Sequence, residues 1–198
     1  VDENNLKVSC PLFTSDNYIK AFIVKQSQWL AKQEKKRQTR LENSYLYQDQ
    51  DYIYIFGEKK KFTYIQAKAK LIINEEEVIL SYPKKEERMK YFYRKIIPLL
   101  AEKVELYLPK YLSFLKENNY LAIPEIKYSY MKSRWGVCYG KRNLIRLNSA
   151  LIHYPPQCLD QVLAHECVHF LVFNHSKQFY YYLSYLQPNY KEIKKLLH

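Results

Sequence analysis

Apolar positions along the chain recur every three or four residues in some stretches and alternate with polar ones in others, and the two periods predict its elements. Residues 6–10 read as a short strand. Ser15 or Asp16 then caps a helix in which Tyr18, Ala21, Phe22, Lys25 and Trp29 fall near one face. The strongly basic run from Lys32 to Arg40 reads as a solvated helix end. Alternation through Tyr52, Ile53, Tyr54, Ile55 and Phe56, a turn over residues 57–60, and a return through Phe62, Thr63, Tyr64 and Ile65 predict a β-hairpin. A second hairpin is expected from residues 70–73 and 78–80, turning over 74–77. Residues 1–80 therefore read as an amino-terminal α+β lobe packed on the rest of the chain.

Between residues 84 and 118, Met89, Phe92, Tyr93, Ile96, Ile97, Leu100, Val104 and Leu108 form an apolar stripe at helical spacing. Pro98 and Pro109 interrupt it, which predicts two helices or one kinked helix. Residues 123–130 return to strand character, and 135–139 with 144–147 form a hairpin across 140–143. Pro155 and Pro156 open the next helix, since a first turn loses nothing by lacking an amide proton. Residues 157–173 contain no Gly or Pro and are almost wholly apolar apart from Asp160, Gln161, His165, Glu166 and His169. A helix apolar nearly all round is a buried one. Asn174 is expected to reverse the chain in a left-handed conformation, after which Ser176 caps a helix with Phe179, Tyr182, Leu183 and Leu186 on its apolar face.

Composition narrows the class without changing the fold. With 47% hydrophobic and 26% charged residues among 198, the chain is expected to be a soluble, core-forming α+β protein. No stretch approaches the ~20 apolar residues of a membrane span, and the polar, acidic start shows no secretory signal, so a cytoplasmic location is expected. Cys10, Cys138, Cys158 and Cys167 never form a Cys-x-x-Cys pair, which excludes a zinc ribbon or a thioredoxin-like motif and points to reduced thiols. A net charge of +12 makes nucleic acid a candidate partner. The same lysine excess, with 3 Gly beside 21 Tyr, also follows from codons rich in A and T, so charge alone decides little.

The chemistry concentrates in the buried helix. Two His and one Glu inside it need compensation, and a bound cation supplies it. His165 and His169, four residues apart, project from one face and can reach a single ion. Glu166 is angled toward water on that ion, the His-Glu-x-x-His pattern of zinc proteases. His175, swung back after the turn, is the third ligand, and three protein ligands with one open position describe a catalytic zinc. One zinc ion per chain is expected, with Glu166 as general base, although His ligands also accept nickel, cobalt or copper. Cys167 should point away from the metal as a buried thiol. His153, in a loop, and the terminal His198 should be solvated. Tyr180 or Tyr181 is a candidate donor to an oxyanion, against the commoner use of tyrosine in packing.

Four motifs carry a family resemblance: Tyr-Met-Lys-Ser-Arg-Trp-Gly-Val-Cys from Tyr130 to Cys138, Asn-Leu-Ile-Arg-Leu-Asn from Asn143 to Asn148, His-Glu-Cys-Val-His from His165, and Asn-His-Ser from Asn174. Together they resemble the YgjP-like metallopeptidases, relatives of the WLM and SprT-like zinc proteases. The resemblance implies a zincin-like catalytic domain over residues 81–198, with an active-site helix, a small antiparallel sheet and His175 as third ligand. It also implies that residues 132–138 lie near the cleft, making Arg134 and Trp135 candidate substrate contacts. The competing uses are Trp135 in the core and Arg134 in an ion pair. Val137 stands where the family usually has Ser. Val172 stands where metzincins have Gly, which disfavours that group and puts the turn at Asn174.

The leading expectation is a zinc peptidase or related amide hydrolase acting on a protein or peptide, with residues 144–147 as an edge strand that holds an extended substrate. Two alternatives remain. One is a DNA-associated protease like some SprT-like relatives, acting on DNA-bound proteins. The other is a zinc-stabilised, non-catalytic partner-binding protein, against which the presence of Glu166 and the lack of a fourth ligand count.

Overall fold

The computed structural model describes residues 8–42, 44–46 and 51–197, the first range without the side chains of residues 36–42. Its contacts divide the chain into two compact units, Val1–Ser44 and Tyr45–His198. The expected boundary at residue 80 therefore moves to Ser44, and both hairpins join the larger unit.

The smaller unit consists of α1 (Asp16–Lys25) and α2 (Ser27–Glu42), separated at Gln26. Ser15 is the N-cap, its hydroxyl accepting from the Tyr18 amide at 3.4 Å. The single apolar face expected through Trp29 is split between the two helices, and α1 buries none of its residues. Of the strand expected over residues 6–10, Leu6 and Lys7 lie outside the described residues and Val8–Cys10 belong to no strand.

The larger unit begins with a four-stranded sheet in the order β1-β2-β4-β3, formed by β1 (Tyr52–Ile55), β2 (Glu58–Ile65), β3 (Lys70–Ile73) and β4 (Glu77–Ser81). The first hairpin turns more tightly than expected. Phe56 and Gly57 alone form the turn, with φ of 50° and 83°, and residues 58–60 already belong to β2. Two positive φ values are what a two-residue turn needs to match the strands' twist. Gly57 also has no room for a side chain, because a Cβ there would lie 2.9 Å from Pro155 Cγ. Alternation buries Ile53, Ile55, Phe62, Val78 and Leu80.

Backbone bonds from Phe56 N–H to Ile152 (2.6 Å) and from Gly57 N–H to His153 (3.2 Å) attach this sheet to the short 3-10 turn Ser149–His153. His153 completes the joint, and the expectation that it is solvated is overturned: it is wholly buried. Its Nδ1 lies 2.8 Å from the Tyr54 carbonyl, which can only accept, so that nitrogen carries the proton. Nε2 then accepts from the Tyr93 hydroxyl at 2.9 Å. Burial lowers the His153 pKa to about 4, against the pull of the Tyr54 carbonyl.

The interrupted stripe resolves into α3 (Arg88–Lys95) and α4 (Ile97–Glu117). Pro98 sits in the first turn of α4, while Pro109 is carried inside that helix without ending it. A second sheet, in the order β5-β7-β6, comprises β5 (Glu125–Ser129), β6 (Gly136–Tyr139) and β7 (Leu144–Asn148). β7 pairs parallel with β5 and antiparallel with β6. It is thus the central strand, and the edge expected at residues 144–147 belongs to β6 instead. Three helices follow: α5 (Pro156–Val168), α6 (Lys177–Leu186) and the unanticipated α7 (Tyr190–Leu196). A buried knot ties α4, α5 and the end of α6 together. The Tyr111 hydroxyl donates to the Asp160 carboxylate, and the Gln187 amide donates to both. Among the described residues no helix is long and apolar enough to cross a membrane.

The depressed pKa of His153 has a sign that can be measured. Above its ordinary value of 6.5 the ring is neutral whether the chain is folded or not. As pH falls from 6.5 toward about 4, the unfolded chain takes a proton that the folded one refuses, and stability is lost. In urea titrations at a series of pH values, His153→Gln is expected to show a shallower fall in stability over this window than the unsubstituted protein.

Candidate metal centre

Nine of the residues of α5 are buried, including Glu166, and its last turn carries His165. The helix stops at Val168, a turn earlier than its apolar run predicts, and His169 is its C-cap. Tight bonds from the amides of Phe170 to Cys167 and of Leu171 and Val172 to Val168 wind the chain down. The His169 ring holds this turn, its Nδ1 lying 3.1 Å from the Val172 carbonyl. Asn174 is not among the residues with positive φ, so the left-handed reversal expected there is absent: the tightened turn after Val168 has already redirected the chain.

The redirected chain brings the three predicted histidines together. His165 Nε2 lies 3.2 Å from His169 Nε2 and 3.1 Å from His175 Nε2. These ligand atoms form the only group of its kind among the described residues, all within 4.8 Å of one another. The donor set fits a divalent metal ion. The Val172 carbonyl requires a proton on His169 Nδ1, which leaves Nε2 as a lone pair facing the other two rings. A single proton on His165 Nε2 could serve only one of its two nitrogen neighbours, whereas a cation would satisfy all three. Burial, then the charges of His169, His175 and Lys194, lower the His165 pKa to about 3. Burial also lowers that of His169, with the Val172 carbonyl opposing it.

Beneath the triad lies Phe179 of α6, fully buried. Its ring centroid is 4.9, 4.7 and 4.6 Å from those of His165, His169 and His175. The near-equal spacing closes this face of the triad with hydrocarbon.

The other face opens on β6. Glu166 is 6% exposed, and burial raises its pKa to about 7, against the opposing effects of a hydrogen bond from the Cys138 backbone and the charge of Arg134. The strand passes so close that a Cβ on Gly136 would lie 2.7 Å from Glu166 Cγ and Oε1 and 2.9 Å from Val162 Cγ1. Between β6 and the triad lies a cleft of about 290 Å³, walled by Arg134, Val137, Cys138 and Phe173 as well as by the histidines and Glu166. Burial pushes the Cys138 thiol up to about 12 and raises that of Cys167, which is wholly buried, so both stay protonated.

The remaining predicted residues divide. Arg134 is in the cleft wall. Trp135 does two things: its ring packs edge-on against Tyr154, and it lines a smaller hollow beside His165 and Glu166. Tyr180 lies outside the walls of the cleft, its ring 6.2 Å from that of His175 and stacked near Tyr190.

Two further residues shape the site although pattern reading gave them no role. Gly136 supplies the close approach just described, and a glycine opening an alternating strand, in a chain with only 3, is the signal that marks it. Asn148 pins the loop that leads into β6. Its amide donates to the carbonyls of Met131 and Arg134 at 2.7 Å each, and its Oδ1 accepts from Met131 (3.2 Å) and Ala150 (3.0 Å).

With this geometry in hand, comparison with known proteins gives three results. No curated protein matches the chain. Among solved structures, the zymogen of the metallopeptidase abylysin from Pyrococcus abyssi is similar at 21% identity, covering 48% of this chain and 90% of its own, with a TM-score of 0.42. A Wss1 mutant from Saccharomyces cerevisiae is similar at 21% identity, covering 69% and 92%, with a TM-score of 0.34. The profile of the YgjP-like metallopeptidase domain matches residues 1–198, and the chain belongs to that family.

Proposed function

We propose that the protein is a zinc-dependent peptidase with the ion held by His165, His169 and His175 and with Glu166 as general base. The observation that carries this reading is the pairing of three converging imidazole nitrogens with a buried carboxyl at the next residue, on the face left open by Phe179. Zinc bound there would polarise a substrate carbonyl and acidify a water molecule. Glu166 takes the proton from the attacking water and delivers it to the departing amine. Its desolvated environment suits both tasks, since burial brings its proton affinity to the neutral range while Arg134 and the Cys138 amide favour the ionised form. The edge of β6 offers main-chain groups to an extended peptide, and β7 and Asn148 keep that edge rigid.

Three measurements test the reading. Elemental analysis of the purified protein is expected to find about one zinc per chain, and His175→Ala to lose most of it. Full retention by that variant would remove His175 from the ligand set. Glu166→Gln is expected to keep its zinc and lose peptide hydrolysis by about 10²–10⁴-fold, the usual contribution of a general base. Phe179→Ala opens the closed face of the triad. Its zinc affinity, measured by chelator competition, should fall by about 10–100-fold, as for other residues that orient ligands. Phe179→Leu, which keeps the hydrocarbon floor, should lose less. Unchanged affinity in both variants would show that the ring has no part in holding the ligands.

A further inference from the structure

Two hollows meet at Glu166. One is the cleft between β6 and the triad. The other, of about 190 Å³, shares Gly136, His165 and Glu166 with it, so whatever occupies the cleft has this second space beside it. It is smaller than the ~300–1,000 Å³ of small-molecule sites and is of a size for one side chain.

Its composition is specific. Trp135, Val162 and Leu197 give it apolar walls. The Trp135 indole N–H already donates to the Leu197 carbonyl at 2.9 Å, so the ring offers the hollow a hydrocarbon surface and no free donor. The buried Gln161 lies on α5, and Lys194 comes from α7. No ion pair joins Lys194 to a carboxylate among the described residues. It lines the hollow together with His165 and Glu166. Arg134 adds a second cation on the side of the cleft.

We propose that this hollow receives the substrate side chain next to the bond cleaved and that Lys194 makes it selective for an acidic one, so that the substrates are acidic peptides. The proposal rests on the peptidase reading above. A glutamate fits both halves of the hollow. Its methylenes would lie along Trp135 and Leu197, and its carboxylate would meet the ammonium of Lys194. A lysine in the same place would meet like charge from Lys194 and Arg134, which costs affinity as well as rate of encounter.

The test uses zinc-loaded protein and internally quenched peptides that differ only in carrying Glu, Gln or Lys at either residue flanking the cleaved bond. At one of those positions kcat/KM should rank Glu above Gln above Lys, with Glu over Lys on the order of tenfold, the scale of an exposed charge pair set against a repulsion. Lys194→Ala should level Glu with Gln, and Lys194→Glu should reverse the order. Lys194 is exposed on its helix, so neither change threatens the fold. Equal rates at both positions, or an order unmoved by Lys194→Glu, overturn the proposal.

A second readout needs neither metal nor turnover. With Trp29→Phe leaving Trp135 as the only tryptophan, N-acetylglutamate amide should quench its fluorescence at lower concentration than N-acetylglutamine amide, and Lys194→Glu should abolish the difference. Selective quenching without hydrolysis of any peptide would sink the peptidase reading and leave the acid-selective hollow standing. Hydrolysis without selectivity in either assay would sink the hollow and leave the peptidase. Failure of both assays overturns both.

Discussion

The backbone of β6 crosses the side chain of Glu166 at a distance that excludes even a methyl group, and most of the site's chemistry follows from that approach. A Cβ on Gly136 would lie 2.7 Å from the carboxylate and from its own methylene. The strand therefore acts as a lid on the carboxyl, takes it out of water and directs the Cys138 backbone at it. Desolvation alone would favour the protonated acid, and the hydrogen bond and Arg134 restore part of the ionised form. The position of the strand is in turn dictated from behind. β7 is paired on both sides and buried along nearly its whole length, and Asn148 at its end holds the carbonyls of Met131 and Arg134. An alanine at position 136 would force the Glu166 and Val162 side chains, or β6 itself, to shift, and the carboxyl would lose its present place against the strand.

Helix α5 meets two opposed demands. Its apolar residues fill the centre of the unit, and the same helix carries a carboxyl and an imidazole that water would otherwise stabilise. The cost is reduced by confining the polar groups to the last turn and the cap, where the helix ends and the chain bends back. Phe179 then separates the triad from the core below. The imidazoles meet hydrocarbon on one side and the cleft on the other, so an ion among their converging nitrogens would compensate the lone pairs that Phe179 cannot. Just before the start of α5, His153 solves the same problem without an ion, through Tyr54 and Tyr93.

The parts of this arrangement governed by local spacing were legible in the sequence. His165 and His169 must share a face because they are four apart on a helix, and Glu166 must lie beside them. The hairpins and the break before Pro98 are equally local. Pairing between distant segments was not legible. Nothing in residues 144–147 says whether a strand is central or at an edge, and the parallel partner β5 decides it. The early end of α5 is invisible because its apolar run continues, and only the bond from His169 to the Val172 carbonyl shows where the chain turns. His153 beside two prolines looks like a loop residue until Tyr54, 99 positions away, is found against it. The amino-terminal lobe dissolved for the same reason. Its hairpins satisfy their own periodicity, but their buried faces and turn belong to the unit that carries the triad. Helix α7 is short and lysine-rich, and the apolar positions it packs on the core, Tyr190, Ile193 and the C-cap Leu197, are too few to announce it, although it supplies one wall of the hollow beside Glu166.

The charges around the site all act in one direction. Lys194 disfavours a proton on His165, and Arg134 disfavours one on Glu166. Burial is the larger influence on both groups; the Lys194 charge adds to it at His165 and the Arg134 charge offsets it at Glu166. Lys194 lines one hollow and Arg134 the other, where the proposed substrate would lie. A positively charged peptide would enter against Arg134, Lys194 and any cation that the triad held, while a negatively charged one would be drawn toward them. In the proposed peptidase the cations that flank the metal centre would thus constrain the substrate as well. If the proposed acidic substrates bind there, Arg134 and Lys194 give the basic character of the chain a local use at the cleft, whatever the origin of its wider lysine excess.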